Sequence, residues 1–442
     1  MTAQRAVVAG LGKTGVSVVR YLLRSGWKVA VTDTRAAPPG VDELRQMAPN
    51  LPVSAGGLDE ILLTDADVVV ASPGLSQADP FFDAARRLGV PVIGDIELFA
   101  RSGAGPVVGI TGTNGKSTVT TLVARMAEKA GRITRAGGNL APPALDLLEG
   151  AAADLYVLEL SSYQLETTHT LRLAAATVLN VTPDHLDRYA DTAAYAAAKA
   201  RIFERAAVAI INLDDPIVAS MAMDAARRVT FSLRADAGAD YSLQRHDGQD
   251  WLVARGERLL QMKDMRIVGL HNTANALAAL ALGEALGLAR PAMLSALKEF
   301  PGLPHRSEWV ADVAGVRYVD DSKGTNVGAT LAAVAGFAGP LLLVLGGDGK
   351  NQDFSPLRAA LAGKVRLALL IGRDASQIAE VLEGACALRN CQSLEEAVVI
   401  AARAAQPGDT VLLSPACASL DMFRDYAHRG EVFAQSVRRL AA

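Results

Sequence analysis

Short runs of apolar, β-branched residues alternate with longer Ala- and Leu-rich stretches along almost the whole chain. The runs have the length of buried strands and are bounded by Gly, Pro, Asn or Asp, while the longer stretches favour helices. This alternation predicts an α/β protein, with parallel strands covered by helices on both faces. The clearest predicted strands are Ala6–Ala9, Val29–Thr32, Val68–Ala71, Val107–Thr111, Leu155–Leu160, Ala176–Asn180, Val208–Asn212, Leu341–Leu345, Leu367–Ile371 and Thr410–Ser414. Ligands of such sheets bind at the carboxyl ends of the strands, so we expect the chemistry there.

Two Gly- and Pro-bearing segments divide the chain. Residues 101–106 (Arg-Ser-Gly-Ala-Gly-Pro) precede a new strand, and residues 300–304 (Phe-Pro-Gly-Leu-Pro) follow an amphipathic helix. Cutting there predicts three domains of ordinary size, at residues 1–103, 104–302 and 303–442. We expect a Rossmann-like first domain, a central P-loop domain with a mainly parallel sheet, and a Rossmann-like third domain. The polar segment 236–261 predicts a hairpin within the middle domain.

The composition excludes several classes of protein. The 442 residues carry 44 Lys and Arg against 47 Asp and Glu, and this near balance argues against a dedicated nucleic-acid binder or a membrane-surface protein. Three cysteines without paired spacing argue against a disulfide framework or a Cys-based zinc site. The long apolar stretch 331–347 is interrupted by Gly and Pro, so it predicts a helix, a turn and a strand. With no signal-peptide pattern at the start, we expect a soluble, cytoplasmic protein.

The first glycine-rich loop, residues 10–15 (Gly-Leu-Gly-Lys-Thr-Gly), follows a predicted strand and opens a helix, and Asp33 ends the next strand. Glycines at these positions allow a diphosphate to approach a helix N-terminus, as in dinucleotide-binding proteins. The same residues also fit an ordinary tight turn of a Rossmann-like domain. A nicotinamide cofactor is the default interpretation of this loop alone, so an NAD-dependent dehydrogenase stays open.

The second glycine-rich loop carries a stronger signal. Residues 107–118 run from a strand through a turn into a predicted helix over residues 119–130, and Lys116 follows Gly115 in the manner of a P-loop. Backbone N–H groups of such a loop hold phosphate oxygens, the lysine reaches the β- and γ-phosphates, and a hydroxyl binds Mg²⁺. Ile110 occupies the usual first glycine position, and Gly112 lies inside the loop instead. ATP binding is favoured, although a P-loop switch that drives a partner protein stays open.

The loop sequence Thr-Gly-Thr-Asn-Gly-Lys-Ser-Thr, residues 111–118, closely resembles the ATP loop of the Mur ligase family and of its relative, folylpolyglutamate synthase. The resemblance implies an ATP-binding set made of Gly112, Thr113, Asn114, Gly115, Lys116, Ser117 and Thr118. Glu159 ends a predicted strand in Glu-Leu-Ser-Ser-Tyr-Gln-Leu, and a carboxylate at that end of a strand beside a P-loop is placed to bind Mg²⁺. This segment is similar to the one that carries the metal-binding Glu of the family.

Two more residues gain a metal-binding role only from the resemblance. His185 lies in a loop after a strand, in Asn-Val-Thr-Pro-Asp-His-Leu-Asp, and Lys199 lies on an Ala-rich helix. Alone, the histidine would be interpreted as a capping or surface residue and the lysine as a solvated charge. The family implies that Lys199 is carbamylated and becomes a carboxylate-like ligand. Two Mg²⁺ sites follow, one at Ser117 or Thr118 with Glu159, the other at His185 with Lys199.

Residues around the second joint complete the implied ATP site. Asn272 and Asn275 lie at the start of a helix predicted over residues 273–287, where Asn is also an ordinary capping residue. Their segment is similar to the family's His-Asn-x-x-Asn, whose asparagines approach the adenine and the ribose. Arg306 follows the joint and could be a surface charge, but its family counterpart contacts ATP phosphate, which suits the donor fork of a guanidinium.

Three segments of the third domain follow predicted strands and could converge on one cleft: 320–326, 346–350 and 414–421. Each could also be a simple turn between a strand and a helix. Together they most resemble the family members that add D-glutamate. The resemblance implies ATP contacts at Asp321 and Lys323, and D-glutamate contacts at Thr325, Lys350, Ser419, Leu420 and Tyr426. Tyr426 departs from the family pattern, which has Phe at this position.

The resemblance also gives the first domain a role other than NAD binding. It implies that this domain binds the UDP part of UDP-N-acetylmuramoyl-L-alanine. The implied contacts are Gly12, Lys13, Thr14, Asp33, Thr34, Arg35, Ser72 and Gly74, with Asn139 and His185 toward the sugar-peptide arm. A folylpolyglutamate synthase would be expected to begin near its ATP loop, without the roughly 100 residues that precede it here. The first domain therefore argues against the folate alternative.

The implied reaction is an ATP-dependent amide ligation through an acyl phosphate, with release of ADP and phosphate, in peptidoglycan precursor synthesis. The implied catalytic residues are Lys116, Glu159, His185, Lys199 and Arg306. The expected partners are the small molecules UDP-N-acetylmuramoyl-L-alanine, D-glutamate and ATP, with Mg²⁺ as cofactor. No nucleic acid or membrane partner is expected, and we expect a monomer.

Overall fold

The computed structural model describes residues 4–186, 188–221, 227–267, 269–337 and 339–440. Three β-sheets follow one another along these residues, each with its own helices. The proposed boundaries after residues 103 and 302 fall between consecutive sheets. Asp187, at the end of the segment that carries His185, lies outside the described residues.

The first sheet has five parallel strands in the order β3-β2-β1-β4-β5. Its strands are β1 (Arg5–Ala9), β2 (Lys28–Asp33), β3 (Val53–Ala55), β4 (Val68–Ala71) and β5 (Val92–Ile93). Its helices are α1 (Lys13–Arg24), α2 (Val41–Met47), α3 (Pro80–Arg87) and α4 (Asp95–Arg101), with a 3₁₀ turn at Glu60–Leu63. Because β1 lies at the centre, the loop after it opens at the middle of the carboxyl edge.

The second sheet has nine strands in the order β14-β13-β12-β11-β10-β9-β6-β8-β7. They are β6 (Val107–Thr111), β7 (Thr134–Gly138), β8 (Leu155–Glu159), β9 (Ala175–Val178), β10 (Ala209–Asn212), β11 (Arg228–Ser232), β12 (Tyr241–His246), β13 (Gln249–Ala254) and β14 (Glu257–Gln261). The helices are α5 (Lys116–Lys129), α6 (Ser162–Glu166), α7 (Thr192–Ala200), α8 (Pro216–Ala219), α9 (Leu270–Ala285) and α10 (Arg290–Glu299). Short 3₁₀ turns lie at Ala144–Leu148, Arg201–Phe203, Ala235–Ala237 and Met262–Asp264. The predicted hairpin is confirmed, and its antiparallel strands β12–β14 extend one edge of the sheet.

The third sheet has six strands in the order β15-β16-β20-β17-β18-β19, parallel except for the edge strand β15. Its strands are β15 (Glu308–Val313), β16 (Val316–Asp320), β17 (Leu341–Gly346), β18 (Val365–Ile371), β19 (Ala387–Asn390) and β20 (Thr410–Leu413). Its helices are α11 (Val327–Ala335), α12 (Ser355–Leu361), α13 (Ala375–Leu382), α14 (Leu394–Ala404) and α15 (Tyr426–Leu440). Strand β17 is buried along its whole length, so its predicted apolar run forms the core of this domain.

The helix after the second glycine loop begins earlier than the sequence predicts. Helix α5 starts at Lys116 rather than at residue 119, because Gly115 takes a left-handed conformation (φ +84°) that turns the chain directly into the helix. Lys116, Ser117 and Thr118 therefore lie in the first helical turn, where backbone N–H groups have no helical partner and can hold phosphate. The helix predicted from residue 273 likewise begins at Leu270 and ends at Ala285.

The apolar stretch 331–347 contains the end of α11 and all of β17, as predicted. Among the described residues, the structure has no helix of the length and apolar character needed to cross a membrane.

Candidate active site

The P-loop joins the carboxyl end of β6 to α5. In it, Nζ of Lys116 donates hydrogen bonds to the carbonyl oxygens of Gly112 and Thr113, at 2.8 and 2.9 Å. Burial lowers the pKa of Lys116, and the charge of Glu159 partly opposes this effect. A desolvated ammonium folded against its own loop is ready to exchange these carbonyls for phosphate oxygens.

Lys199 shares a partner with Lys116. It is 1% exposed, and its Nζ donates to the Gly112 carbonyl at 3.0 Å. Nζ also lies 4.3 Å from the centre of the Tyr195 ring, one helical turn earlier on α7. Burial, followed by the charge of Lys116, lowers the pKa of Lys199 well below its ordinary value. This lysine is therefore a buried side chain with a hydrogen bond and a ring contact, and not a solvated surface charge.

Glu159 ends β8 beside the P-loop and is 3% exposed. Its Oε1 accepts a hydrogen bond from Nδ2 of Asn139 at 2.6 Å. Asn139 can approach because Gly138 precedes it: a Cβ at Gly138 would lie 2.5 Å from the Glu159 carbonyl oxygen. Within the described residues, Oε2 of Glu159 is buried and has no hydrogen-bond partner. A buried carboxylate oxygen without a partner fits a cation ligand.

His185 lies in the loop after β9 in a left-handed conformation, with φ +57°. Its ring contacts two tyrosine rings, Tyr163 and Tyr195, with centres 5.1 and 5.9 Å away. Its Nε2 lies 3.8 Å from Oδ2 of Asp184. Tyr195 therefore touches both implied ligands of the second metal site, His185 and Lys199.

Arg306 lies just after the second joint, residues 300–304, and contacts the P-loop. Its Nη2 donates a hydrogen bond to Oγ of Ser117 at 2.8 Å. Burial lowers the pKa of this guanidinium, and the charge of Glu159 opposes this. A second contact between the same domains links Asn326 to Asp184, with 3.3 Å from Nδ2 to Oδ2. The middle and third domains therefore meet beside the P-loop.

A cleft between these domains contains most of the implied ATP contacts. Its lining includes Asn114, Gly115, Thr118, Asn272, Asn275, Arg306, Asp321 and Lys323. Nδ2 of Asn275 donates to Oδ1 of Asn272 at 3.3 Å, and a Cβ at Gly115 would lie 2.4 Å from Oδ1 of Asn275. The glycine thus lets the asparagine pair lie directly against the loop.

Two ionisable groups from the third domain face this cleft. Asp321 accepts hydrogen bonds from Oγ of Ser414 (2.8 Å) and the backbone N–H of Ser307 (3.1 Å), and burial raises its pKa to about 7. Burial, together with the charges of Arg306 and Lys116, lowers the pKa of Lys323 to about 8. Nζ of Lys323 lies 3.9 Å from the centre of the Tyr426 ring.

The implied D-glutamate contacts come from three loops that the structure ties together. Asp348, two residues before Lys350, forms a two-way backbone bridge with Ala418, the residue before Ser419. Oγ of Ser322 donates to the Tyr426 carbonyl at 2.7 Å, which joins the Thr325 loop to the start of α15. Ser419 is buried, while Lys350 and Leu420 are exposed. The set is thus one neighbourhood at the carboxyl edge of the third sheet.

The first glycine loop surrounds a different ion pair. Asp33 is 1% exposed and accepts hydrogen bonds from the backbone N–H of Leu11 at 2.6 Å and from Nη2 of Arg35 at 2.6 Å. Burial opposes ionisation of Asp33, but these hydrogen bonds outweigh it and lower its pKa to about 2. Oγ of Ser72 donates to the Gly10 carbonyl at 2.9 Å, and the start of α1 leaves Lys13 exposed.

The remaining implied UDP contacts surround this loop. Gly12 and Thr14 flank Lys13 at the start of α1, Thr34 follows β2, and Gly74 lies in the turn after β4. The implied contacts of the first domain are therefore gathered at the carboxyl ends of β1, β2 and β4, whereas the other two, Asn139 and His185, lie in the middle domain after β7 and β9.

Two residues of the site were missed by the sequence analysis. Arg429 is completely buried and donates to the Ser322 carbonyl (2.7 Å) and the Cys417 carbonyl (3.1 Å), so it clamps two of the third-domain loops. Tyr195 holds Lys199 and His185. Helical spacing could have found both, because Arg429 is three residues after Tyr426 and Tyr195 is four before Lys199.

The fold and the site define a nucleotide-dependent enzyme built from three α/β units, with the P-loop in the middle one. Sequence models of known families agree with this class. The Mur ligase middle domain matches residues 110–283, the MurD-like N-terminal domain of Mur ligases matches residues 4–94, and the Mur ligase glutamate ligase domain matches residues 305–417. The chain belongs to the Mur ligase family.

Individual relatives match over nearly the full length. The UDP-N-acetylmuramoylalanine–D-glutamate ligase of Nitrosococcus oceani is 52% identical over 440 residues, which cover 99% of this chain and 97% of that protein. The protein of the same name from Methylobacillus flagellatus is 52% identical over 442 residues, with the same two coverages. Among solved structures, the UDP-N-acetylmuramate-alanine ligase of Thermotoga maritima has a TM-score of 0.63 at 18% identity and covers 99% of each chain. That likeness supports the fold.

Proposed function

We propose that this chain ligates D-glutamate to UDP-N-acetylmuramoyl-L-alanine with the use of ATP, as a step of peptidoglycan precursor synthesis. Relatives that share about half of its residues carry the name of that activity. The main structural support for the proposal is the hydrogen bond from Arg306 to Ser117, because it joins the third-domain loops to the P-loop. A ligase needs the acceptor amine beside the activated carboxylate, whereas an ATPase switch does not.

The three domains divide the substrates among them. We assign residues 1–103 to the UDP moiety, residues 104–302 to ATP and residues 303–442 to D-glutamate. The ATP cleft between the last two supports this division, since both domains line it. We further propose that the enzyme works in the cytoplasm, where ATP is available, and that it works as a monomer.

The first chemical step activates the alanyl carboxylate. One of its oxygens attacks the γ-phosphorus of ATP, the bond from that phosphorus to the bridging oxygen of ADP breaks, and an acyl phosphate forms. Lys116 contacts the Gly112 carbonyl of the P-loop and Arg306 contacts Ser117 of the same loop, so the charges of both would stabilise the transferred group. Positioning and charge stabilisation dominate phosphoryl transfer, so these two cations are the principal catalytic groups.

The second step forms the amide. The free amine of D-glutamate attacks the acyl carbon, the carbon–oxygen bond to phosphate breaks, and the amine releases a proton to solvent. Lys350, Thr325 and Ser419 would bind the carboxylates of the amino acid, with Leu420 and the Tyr426 ring beside its carbon chain. The backbone bridge between Asp348 and Ala418 supports this grouping, because it fixes the Lys350 and Ser419 loops together.

The site fits Mg²⁺, as the unpartnered Oε2 of Glu159 indicates. Glu159 with Ser117 or Thr118 would hold one ion, and His185 with carbamylated Lys199 a second. When bound, such ions neutralise charge on the phosphate oxygens. Lys199 suits carbamylation because a buried amine of lowered pKa is neutral enough to add to CO₂, giving a carbamate anion and releasing a proton.

The carbamate predicts a specific form of chemical rescue. Lys199→Ala should lose about 10²-fold or more in turnover, because a metal ligand is removed. Added short carboxylates such as acetate should restore part of the rate by occupying the vacated space. Lys298→Ala, which changes an exposed lysine, serves as the control and should be unaffected with or without acetate. Absence of rescue at any carboxylate concentration would contradict the carbamate role.

Phosphate release tests the proposed function. Purified protein is given ATP, Mg²⁺ and UDP-N-acetylmuramoyl-L-alanine, with D-glutamate, L-glutamate or diaminopimelate as acceptor. We expect release with D-glutamate alone, matched by a UDP-linked product whose mass has increased by one glutamyl residue. Release with another acceptor would keep the family and overturn the amino-acid assignment, and release without any acceptor would favour the ATPase switch.

A further inference from the structure

Arg188 is a mostly buried arginine that the chemistry above does not use. Its side chain is 14% exposed, and it contacts a loop of the first domain and helix α6 of the middle domain. Nη1 donates to the carbonyl oxygen of Pro73 in the first domain at 3.2 Å, and Nη2 donates to Oε2 of Glu166 at the end of α6 at 3.2 Å. Its Cζ lies 4.3 Å from the centre of the Tyr163 ring, also on α6. The guanidinium therefore ties the first domain to the middle one.

The same residue belongs to the turn that carries His185. The backbone N–H groups of Arg188 and Tyr189 both donate to the His185 carbonyl oxygen, each at 3.0 Å. The Tyr189 hydroxyl donates to Oε1 of Glu166 at 2.5 Å. Both side chains of the turn are thus fixed to one carboxylate, and the position of His185 depends on that anchorage.

The other end of this connection is the loop that the resemblance assigns to the UDP substrate. Pro73 lies between Ser72 and Gly74, and Ser72 closes onto the first glycine loop through Gly10. A substrate held by its diphosphate in the first domain must deliver its carboxylate to the P-loop in the second. The separation between the two loops therefore decides where the carboxylate arrives, and displacements of about 1 Å can reduce a rate about 10²-fold.

We propose that Arg188 is a positioning residue, which holds the His185 turn against the loop of residues 72–74 so that a UDP-linked carboxylate reaches the P-loop in register. The planar guanidinium suits this task, because one group serves the Pro73 carbonyl, the Glu166 carboxylate and the Tyr163 ring at once. The identity of the substrate rests on the proposed function. The geometric connection between the two loops is independent of it.

Steady-state kinetics on the full chain test the proposal, with Arg188→Ala, Arg188→Lys and, as a matched control, Arg172→Ala on an exposed arginine of the same domain. In Arg188→Ala we expect the KM for UDP-N-acetylmuramoyl-L-alanine to rise about tenfold or more and kcat to fall, with the KM for ATP within about a factor of two of wild type. Arg188→Lys keeps the positive charge but lacks the planar guanidinium, so its KM for the UDP substrate should lie between those of wild type and Arg188→Ala. The control should match wild type.

A merely structural role would lower the active fraction or the melting temperature without raising the KM of one substrate alone. The proposal is overturned if the KM for the UDP substrate is unchanged in Arg188→Ala, or if the KM for ATP rises with it. Calorimetric titration with UDP-N-acetylmuramoyl-L-alanine gives a second readout that needs no turnover, and equal affinity for wild type and Arg188→Ala would also overturn it. Failure of the proposed function is distinct, because the wild type itself would then release no acceptor-dependent phosphate.

Discussion

Two glycine loops, each between a central strand and a helix, surround opposite charges. In the first, the buried group is the anion Asp33, which accepts a hydrogen bond from the loop backbone at Leu11, and Lys13 is exposed. In the second, the buried groups are the cations Lys116 and Lys199, both of which donate to the Gly112 carbonyl. Both loops offer helix N-terminal N–H groups to a phosphate.

Under the proposed function, this difference in charge separates a loop that binds the UDP substrate from a loop that takes part in the reaction. Arg35 forms an ion pair with Asp33, so neither side chain offers its full charge to a ligand. The first loop would therefore hold a diphosphate through its backbone N–H groups and exposed side chains such as Lys13. The second loop adds two desolvated amines and, from the third domain, Arg306. Under the proposed function, glycine placement would fix where phosphate lies, and the charges packed around the loop would decide whether it is transferred.

The largest expected effect comes from removing the lysine of the second loop, Lys116. Lys116→Ala should reduce D-glutamate-dependent phosphate release by roughly 10²–10³-fold, because a preorganised charge on the transferred group is lost. Binding of UDP-N-acetylmuramoyl-L-alanine, followed by calorimetry, should persist. Lys13→Ala is the matched change in the first loop and should keep kcat while it raises the KM for the UDP substrate only a few-fold. Equal losses in the two variants would contradict the division between a binding loop and a reacting loop.

Substitutions at two glycines of the first loop should distinguish a glycine needed for packing from a glycine needed for the approach of a ligand. A Cβ at Gly15 would lie 2.0 Å from the Gly10 carbonyl oxygen, so Gly15→Ala should lower the free energy of unfolding by about 1–3 kcal/mol. Gly12 has open space around it, and Gly12→Ala should cost no more than about 1 kcal/mol as a poorer helix cap.

Urea unfolding measures the loss of stability in each glycine variant, and the KM for the UDP substrate measures the loss of ligand approach. Gly12→Ala should raise the KM for the UDP substrate, since its methyl group occupies the space where phosphate approaches. A stable Gly12→Ala protein with an unchanged KM would show that no ligand comes close to this loop.

The smallest expected effect is an exchange of protons on binding. Burial lowers the pKa of Lys116 and lowers that of Lys323 to about 8. Bound triphosphate stabilises the charged forms, so both pKa values rise, and the rise at Lys323 should make ATP binding take up protons at about pH 8–9. Asp33 has a pKa of about 2 and stays ionised, so it should exchange no proton when the UDP substrate binds in that range.

Calorimetry in two buffers of different ionisation enthalpy measures this exchange. Proton uptake should accompany ATP and not the UDP substrate. Proton uptake on binding of the UDP substrate, and none on binding of ATP, would contradict this description of the charges around the two loops.

The predicted strands are those with continuous apolar runs, and each overlaps a strand of the structure. The strands that the sequence analysis missed are mostly short or lie at sheet edges, such as β3, β15 and β19, whose residues are largely half-buried or exposed. An edge strand buries too little side chain to need an unbroken apolar run. The periodicity therefore predicts the centre of each sheet better than its margins.

The site shows the same limit at the level of single residues. The role expected of Lys199 came only from the family resemblance. Motif spacing predicted the P-loop and the position of Glu159, because each lies at the end of a recognisable strand. It could not predict that Arg306 meets Ser117, since 189 residues separate them and only the packing of two domains brings them together. The same holds for Arg188 and Pro73, which are 115 residues apart. Contacts between domains leave no periodic signal in the sequence.

The central claim is that ATP activates the carboxylate of the UDP-linked substrate at the second glycine loop. The most direct test uses UDP-N-acetylmuramoyl-L-alanine with ¹⁸O in its alanyl carboxylate, supplied with ATP, Mg²⁺ and D-glutamate. Mass spectrometry of the released phosphate should find one ¹⁸O atom for each amide formed, because the carboxylate oxygen leaves with the phosphate. Phosphate without ¹⁸O, in which water supplies the one oxygen that does not come from ATP, would show that ATP is hydrolysed without activating the substrate, and would contradict the account.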